Sequence, residues 1–243
     1  ASATIAKRPT MQSSFTSTLF TALLALVFGF LGAATWSMSG LADNRTRAYL
    51  LENPSIIREV AEALAVEEAR ERLASLGDDL YEPFPGVVLG NPQGSKVLVE
   101  FTDYNCPYCE ASLEDVQRLV EADPDLKVVL REWPIFEGSE EAARMALAAG
   151  IQGKYREFHE AMFRLGPASP ATVEAAARSA GLDLERARAD MASEAVSVEL
   201  VRNLTFAREL GFSGTPAFIA GDIPLGGAVG YDRLKEALEQ SGS

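Results

Sequence analysis

The chain has 243 residues, enough for one domain of ordinary size with appendages, and its 47% hydrophobic content can fill a sizeable core. With 22 Lys+Arg against 35 Asp+Glu the formal net charge is −13, which argues against nucleic acid, whose phosphates need clustered cations. Otherwise the charge implies only a solvated acidic surface. The charge is unevenly placed. Lys7 and Arg8 precede an uncharged run from Pro9 to Ala42, and all 35 acidic residues lie at or beyond Asp43.

Phe15 to Trp36 reads FTSTLFTALLALVFGFLGAATW. As a helix rising about 1.5 Å per residue it spans the roughly 30 Å hydrocarbon core of a bilayer. Trp36 falls where an interfacial aromatic would sit, and Lys7 and Arg8 place the amino terminus in the cytoplasm by the positive-inside rule. Residues 15–38 are therefore expected to be a transmembrane anchor, after a tail at 1–14. The rival is a cleavable signal sequence with a small-residue site at Gly32-Ala33-Ala34. Either device exports the rest of the chain, to the periplasmic side of the inner membrane in a Gram-negative cell. A chain start at Met11 would remove both topology charges.

Residues 43–76 are expected to form an amphipathic helical segment. Asn53 is a candidate cap with Pro54 at the first helical position, and Gly77 stops the pattern. Ile57, Val60, Ala61, Leu64, Leu73 and Leu76 fall near one face. That stripe packs back on its own domain or mediates self-association into a homo-oligomer. Residues 77–95 are rich in Pro, Gly, Asp and Asn and read as a linker holding one short strand at Val87-Val88-Leu89.

Lys96–Thr102 (KVLVEFT) is an apolar, β-branched strand candidate, followed by a helix from Cys106 to about Ala122 and a strand at Leu126–Trp133. Residues 139–210 read as an all-helical block punctuated by Gly166-Pro167, Ser169-Pro170, Gly181 and Gly211. Pro216–Ala220 is a third strand, Gly221-Asp222 a tight turn, Leu225–Val229 a short strand, and a helix starts at Tyr231.

Both cysteines of the chain fall in one motif, Cys106-Pro107-Tyr108-Cys109. Zinc needs three or four protein ligands, and only His159, distant in sequence, remains as a further soft donor. A purely structural disulfide would close almost no loop and restrain the unfolded chain little. A redox pair suits the surroundings. A strand ends just before Cys106 and a helix begins there, so its sulfur sits among unsatisfied N–H groups at a positive helix end. Both favour a thiolate. Pro107 fits the first helical turn. Cys106 is then the attacking thiol, and Cys109, one turn in and covered, resolves the mixed disulfide. Two close thiolates also suit Cu(I), so a copper-binding or copper-tolerance module is the alternative; no resident cofactor and no other metal site are expected.

Glu100 interrupts the apolar strand VLVEF. Beneath Cys109, it would exchange the proton that the buried thiol must lose or gain, and burial would raise its pKa towards that task. Thr215-Pro216 opens the third strand, and X-Pro is the one bond whose cis form is cheap. From these residues the isomer stays open. Phe101 and Trp133 read as packing residues, His159 as a packed or surface histidine, and Tyr104 as core or groove lining.

With these motifs in place the chain resembles the DsbA family of thioredoxin-fold thiol:disulfide oxidoreductases. The resemblance rests on VLVEFTDYNCPYC at 97–109, on GTPAFIAGDIPLGGAVGYDRL at 214–234, and on the size and place of the helical block between them. It implies an α/β fold, thioredoxin-like with a helical insertion at about 139–210 of an 84–243 domain, preceded by the membrane helix and the amphipathic helix. It implies a cis Thr215–Pro216 bond opposite the thiols, with Thr215 and Pro216 binding substrate, and a buried glutamate at the position of Glu100. The partners implied are exported polypeptides with thiols or disulfides and a membrane redox partner that resets the pair. Residues 49–73 resemble the amino-terminal helix of a subgroup that includes the suppressor-of-copper-sensitivity C proteins, some of them oligomeric through it. In one respect the chain departs: Tyr108 stands where the best-known members carry His, and a phenol offers no positive charge to a Cys106 thiolate. Asp103 and Glu110 would raise that thiol's pKa further if they faced it.

Overall fold

Two compact units, residues up to 63 and residues 64–243, divide the chain in the computed structural model, which describes residues 12–38 and 41–241. Lys7 and Arg8 lie outside the described residues, with most of the 1–14 tail. The first unit is helical. Helix α1 (Gln12–Met38) contains Thr18–Trp36, a stretch of mean hydropathy 2.0 that is long and apolar enough to cross a membrane. Thr35 satisfies its hydroxyl inside the helix by donating to Leu31 O at 2.9 Å, so it adds no polar group that needs water. The segment expected as one amphipathic helix is two, α2 (Leu41–Glu52) and α3 (Pro54–Leu76). Pro54 has no N–H to continue α2. Asn53, a candidate cap for α3, turns its amide back and donates to Tyr49 O at 2.9 Å, closing the end of α2 instead.

The apolar stripe of α3 does not behave as one surface. Ile57 and Val60 are exposed, as is Leu64, whereas Ala69 and Leu73 are buried and Leu76 packs beside them. The expectation of packing back on the domain holds for the later turns of the helix, while the earlier turns present their apolar residues outward. Residues 77–95 are more than a linker: Asp78–Leu80 forms a 3-10 turn, and Leu80, Phe84 and Val87 are buried.

Five strands follow: β1 (Val88–Gly90), β2 (Lys96–Thr102), β3 (Leu126–Glu132), β4 (Ala217–Ala220) and β5 (Ile223–Gly226), in spatial order β1-β3-β2-β4-β5. The last begins directly after the Gly221-Asp222 turn, two residues earlier than the sequence pattern suggests. β2 and β3 are parallel, joined through helix α4 (Pro107–Ala122); the other pairings are antiparallel. Because successive strand residues face opposite ways, each buried strand feeds two cores. Leu98, Val128, Leu130 and Phe218 join α4, the closing helix α10 (Tyr231–Ser241) and most of the helical block. Val99, Phe101, Val129 and Ile219 take the other face with Leu73, Trp133 and Phe206.

The helical block comprises α5 (Ser139–Ile151), α6 (Tyr155–Leu165), α7 (Pro170–Ser179), α8 (Leu184–Met191) and α9 (Glu194–Glu209). Its boundaries follow local chemistry. Ser169 and Thr172 make a reciprocal capping box around Pro170, Asp183 accepts from the amides of Glu185 and Arg186, and Ser193 accepts from Val196 N. Gly181 (φ 73°) and Gly211 (φ 74°) supply the left-handed stops. On the face away from α4, the fully buried Arg131 pairs with Glu199 of α9 at 2.7 Å and donates to the carbonyls of Asp79, Leu80 and Glu82. One guanidinium thereby fastens both α9 and the 78–82 turn to β3.

Leu73 sits in the second core and Leu64 in solvent, so their truncations separate the packed part of α3 from its exposed part. Leu73→Ala should cost about 2–4 kcal/mol in chemical unfolding of the domain, and Leu64→Ala less than about 0.5 kcal/mol. Equal costs would mean that the stripe is packed along its whole length.

Candidate active site

The turn from β2 into α4 builds the site. β2 ends at Thr102, and Cys106 is the N-cap of α4 with extended backbone (φ −87°, ψ 115°), followed by Pro107 at the first helical position. Cys106 O accepts from the amides of Cys109 and Glu110 at 3.1 and 3.2 Å, closing the first turn. The Cys106 side chain does not cap the helix. Its thiol points across to the segment leading into β4 and donates to Thr215 O at 3.1 Å. The Thr215–Pro216 bond is cis, as the family resemblance implies. Cys106, Cys109, Pro107, Thr215 and Pro216 are thus brought together, and both cysteines are free thiols. Tyr108 is not part of this group: its side chain projects outward, 64% exposed.

Glu100 lies underneath. Alternation along β2 puts Leu98, Glu100 and Thr102 on the α4 side and Val99 and Phe101 on the other. Glu100 is 3% exposed, which rules out an exposed strand end, and burial pushes its carboxyl up to about 8. Cys109 feels the same burial. Desolvation pushes its thiol well up, and the charge of Glu100 pushes it further. The Asp103 amide and the hydroxyls of Thr215 and Thr102 oppose this by favouring the thiolate. Both hydroxyl oxygens are buried without a hydrogen-bond partner of standard geometry; facing the Cys109 sulfur is what they do there.

Residues that no chemical motif singled out shape the approach to Cys106. The Asp103 carboxylate does not face the thiols. It accepts from Asn105 N, from the Ser139 hydroxyl and from the amides of Ile135 and Phe136, all within 3.0 Å, and so organises the loop before α5. Asn105 accepts from Ala168 N at 2.7 Å and donates to Glu137 O at 3.0 Å, tying the site to the loops that flank the helical block. The only hint in the sequence is their place, an Asp and an Asn between a strand and a cysteine. Between these elements lies a cleft of about 340 Å³, lined by Tyr104, Cys106, Pro107, Glu110, Phe163 and Pro167. Cys106, 2% exposed, forms part of its wall. Tyr104 lines this cleft and is also 4% exposed, so core and groove are one position. His159 is packed, with Nδ1 beside the Tyr104 and Tyr155 hydroxyls and its ring edge-to-face with Phe163. Among the described residues no group of three or more His, Cys, Asp or Glu side chains is gathered where it could hold a metal ion.

A mixed sheet with its central parallel pair joined through α4, a Cys-x-x-Cys at the start of that helix and a cis-proline opposite it define a thioredoxin fold of the thiol–disulfide oxidoreductase type. The chain belongs to the DSBA-like thioredoxin domain family, which matches residues 97–239. A thioredoxin-like oxidoreductase from Silicibacter pomeroyi is 43% identical, with TM-score 0.65 over 68% of this chain and 97% of that one. The catalytic domain of Proteus mirabilis ScsC is 31% identical, with TM-score 0.63 over 71% of this chain and 97% of that one. Among curated proteins, a Na(+)/H(+) antiporter NhaA 1 of Salinispora arenicola is 28% identical over 155 residues, 62% of this chain. The chain spans only about a quarter of the length of that antiporter and of the two other antiporters it matches.

The buried acids make stability depend on pH with a defined sign. A carboxyl raised from 4.5 to about 8 keeps its proton in the native state while the unfolded chain has lost it. Its contribution is therefore full below about pH 4.5 and lost as pH rises through 8. Glu100→Gln removes that loss. Relative to wild type, the variant should gain on the order of 3 kcal/mol between about pH 5 and pH 8 in urea unfolding, whatever its offset at pH 5. A pH-independent difference would place the Glu100 carboxylate in contact with water.

Proposed function

We propose that the protein exchanges thiols and disulfides with exported polypeptides through the Cys106–Cys109 couple. The observation that carries this reading is the asymmetry of the pair: Cys106 forms part of the cleft wall, while Cys109 sits one turn inside α4, 1% exposed, above Glu100. In the oxidising direction a substrate thiolate attacks Cys106 Sγ. The Cys106–Cys109 bond breaks, and the Cys109 sulfur takes its electron pair and a proton from Glu100. A second substrate thiolate attacks the substrate sulfur of the mixed disulfide and expels Cys106 as thiolate. In the reducing direction the Cys106 thiolate attacks a substrate disulfide. Cys109 then gives its proton to Glu100 and displaces the substrate from Cys106. Isomerisation joins the two halves on one substrate, and a membrane redox partner resets the pair.

Thr215 and Pro216 flank Cys106 as the surface on which an extended substrate lies, and Pro107 starts the helix that presents the thiol. Thr18–Trp36 holds the domain at the membrane, on the outer side of the cytoplasmic membrane. The burial of Glu100 supports its part, because a carboxyl pushed up to about 8 both gives and takes protons near neutral pH.

Two measurements check this reading. Cys109→Ser should accumulate mixed disulfides with a peptide substrate, because the resolving thiol is gone, whereas Cys106→Ser should form none and lose all turnover. Trapping by Cys106→Ser instead would reverse the roles. Fractionation should find the chain in a salt-resistant membrane pool with its carboxy-terminal domain open to external protease. A processed soluble species beginning near Thr35 would replace the anchor by a signal sequence.

A further inference from the structure

The face of the sheet under α4 carries a second buried acid. Glu132, the last residue of β3, is fully buried, and two phenols from different elements converge on one of its oxygens. Tyr104 donates to Glu132 Oε1 at 3.1 Å and Tyr155 of α6 donates to the same oxygen at 2.8 Å. His159 Nδ1 lies 2.9 Å from the Tyr104 hydroxyl and 3.3 Å from that of Tyr155. Glu132 Oε2 is buried with no partner.

This arrangement fits a carboxylate. Each phenol has one hydrogen, and both are spent on Oε1. The hydroxyl oxygens are then left as acceptors for His159 Nδ1–H, which suits a neutral imidazole, and burial lowers this histidine to about 3. A neutral acid with its proton on Oε2 would find no acceptor for it, since that oxygen is buried without a partner. Against the charged form stands desolvation, which pushes the carboxyl up to about 8 in spite of the two phenols. The charged and neutral forms of Glu132 are therefore closely balanced.

The register brings this group to the thiol chemistry. Glu100 is paired with Leu130 and Thr102 with Glu132, in a parallel ladder. Glu100 and Glu132 are thus diagonal neighbours on one face, roughly 8 Å apart at Cα from strand spacing and rise. The titratable groups facing Glu132 are Glu100 from β2, Asp103 and Tyr104 from the following loop, and Tyr155 and His159 from α6. None of these is a cation. Arg131, its neighbour in sequence, points through the sheet to Glu199. No positive charge in that set offsets the repulsion between the two carboxylates, so ionising one holds the proton on the other. Two hydroxyl donors seat the charge on Glu132, and a carboxylate held by hydrogen bonds is the favoured form there.

We propose that Glu132 is a positioning residue for the thiol pair: its carboxylate, seated on Tyr104 and Tyr155, keeps Glu100 protonated and so sets the pH at which Cys109 is freed to resolve the mixed disulfide. This rests on the reading of Glu100 as the group that takes the Cys109 proton. The two claims fail separately. The probe is the Cys106–glutathione mixed disulfide on the full-length chain, and the measured rate is release of glutathione by Cys109 as a function of pH. In wild type the rate rises with the ionisation of Glu100. Glu132→Gln keeps an oxygen for both phenols and removes the charge; the midpoint should move down by about one pH unit with the plateau rate little changed. Tyr155→Phe removes one donor, weakens the carboxylate and should move the midpoint the same way by less. It decides the matter if a buried amide at 132 prevents folding. Glu100→Gln should abolish the midpoint. If Glu100→Gln leaves it in place, the Glu100 reading falls and this inference with it. If Glu100→Gln abolishes it but Glu132→Gln and Tyr155→Phe leave it unmoved or raise it, Glu132 is structural and only this inference is overturned.

Discussion

β2 is hydrogen-bonded along both edges, parallel to β3 and antiparallel to β4, and that double pairing decides which side of the sheet each of its side chains must occupy. A strand free on one edge could twist or slip to bring a carboxylate to water. β2 cannot, because a one-residue slip would turn its whole apolar set around. Glu100 is therefore held in the interior by the burial of its neighbours Leu98, Val99 and Phe101, each fully enclosed. The same strand runs out at Thr102, within reach of the Cys109 sulfur, and leads into the turn that caps α4 with Cys106. Thiol, acid and helix end are in register because one strand delivers all three.

The two faces of the sheet handle buried charge differently. On the face away from α4, Arg131 pairs with Glu199 and donates to three backbone carbonyls, and its role there is to fasten elements together. A buried ion pair of this kind is weak as a net source of stability but costly to break. On the α4 face, Glu100 and Glu132 have no cation between them, and both are pushed up to about 8. Acids left uncompensated in this way weaken the fold above their usual ionisation range. They also titrate where proton transfer to and from a buried thiol is useful.

Outside the catalytic unit the described chain is helical, and its exposed apolar side chains are concentrated in α1. Nineteen residues of mean hydropathy 2.0 with no buried side chain are a poor fit to water and a good fit to hydrocarbon. The buried end of α3 belongs to the thioredoxin-fold unit: Leu73 joins Phe206 and Phe101 in the second core, upstream of the point at which the family match starts.

Much of this is legible in local sequence. Strand periods, glycine stops, the Ser169-Pro170 start and the helix beginning at Cys106 are decided by neighbours a few residues apart, so β2, α4 and the helical block follow from the residues alone. A lone acid inside VLVEF is visible for the same reason, because alternation is a local property. Glu132 is not, although it too is an acid closing an apolar strand. It stands at the end of that strand beside Arg131, where an acid is ordinarily solvated, and what buries it are Tyr104 and Tyr155, brought from the next loop and from α6. The division of α3 into an exposed and a packed part is likewise hidden, since its stripe has one period throughout and only the second core distinguishes Leu73 from Leu64. The jobs of Asp103 and Asn105 depend on amides at 135, 136 and 168. Short-range chemistry determined the elements and the thiol pair; contacts between segments far apart in sequence decided which polar groups lost water, and hence which of them can titrate beside Cys109.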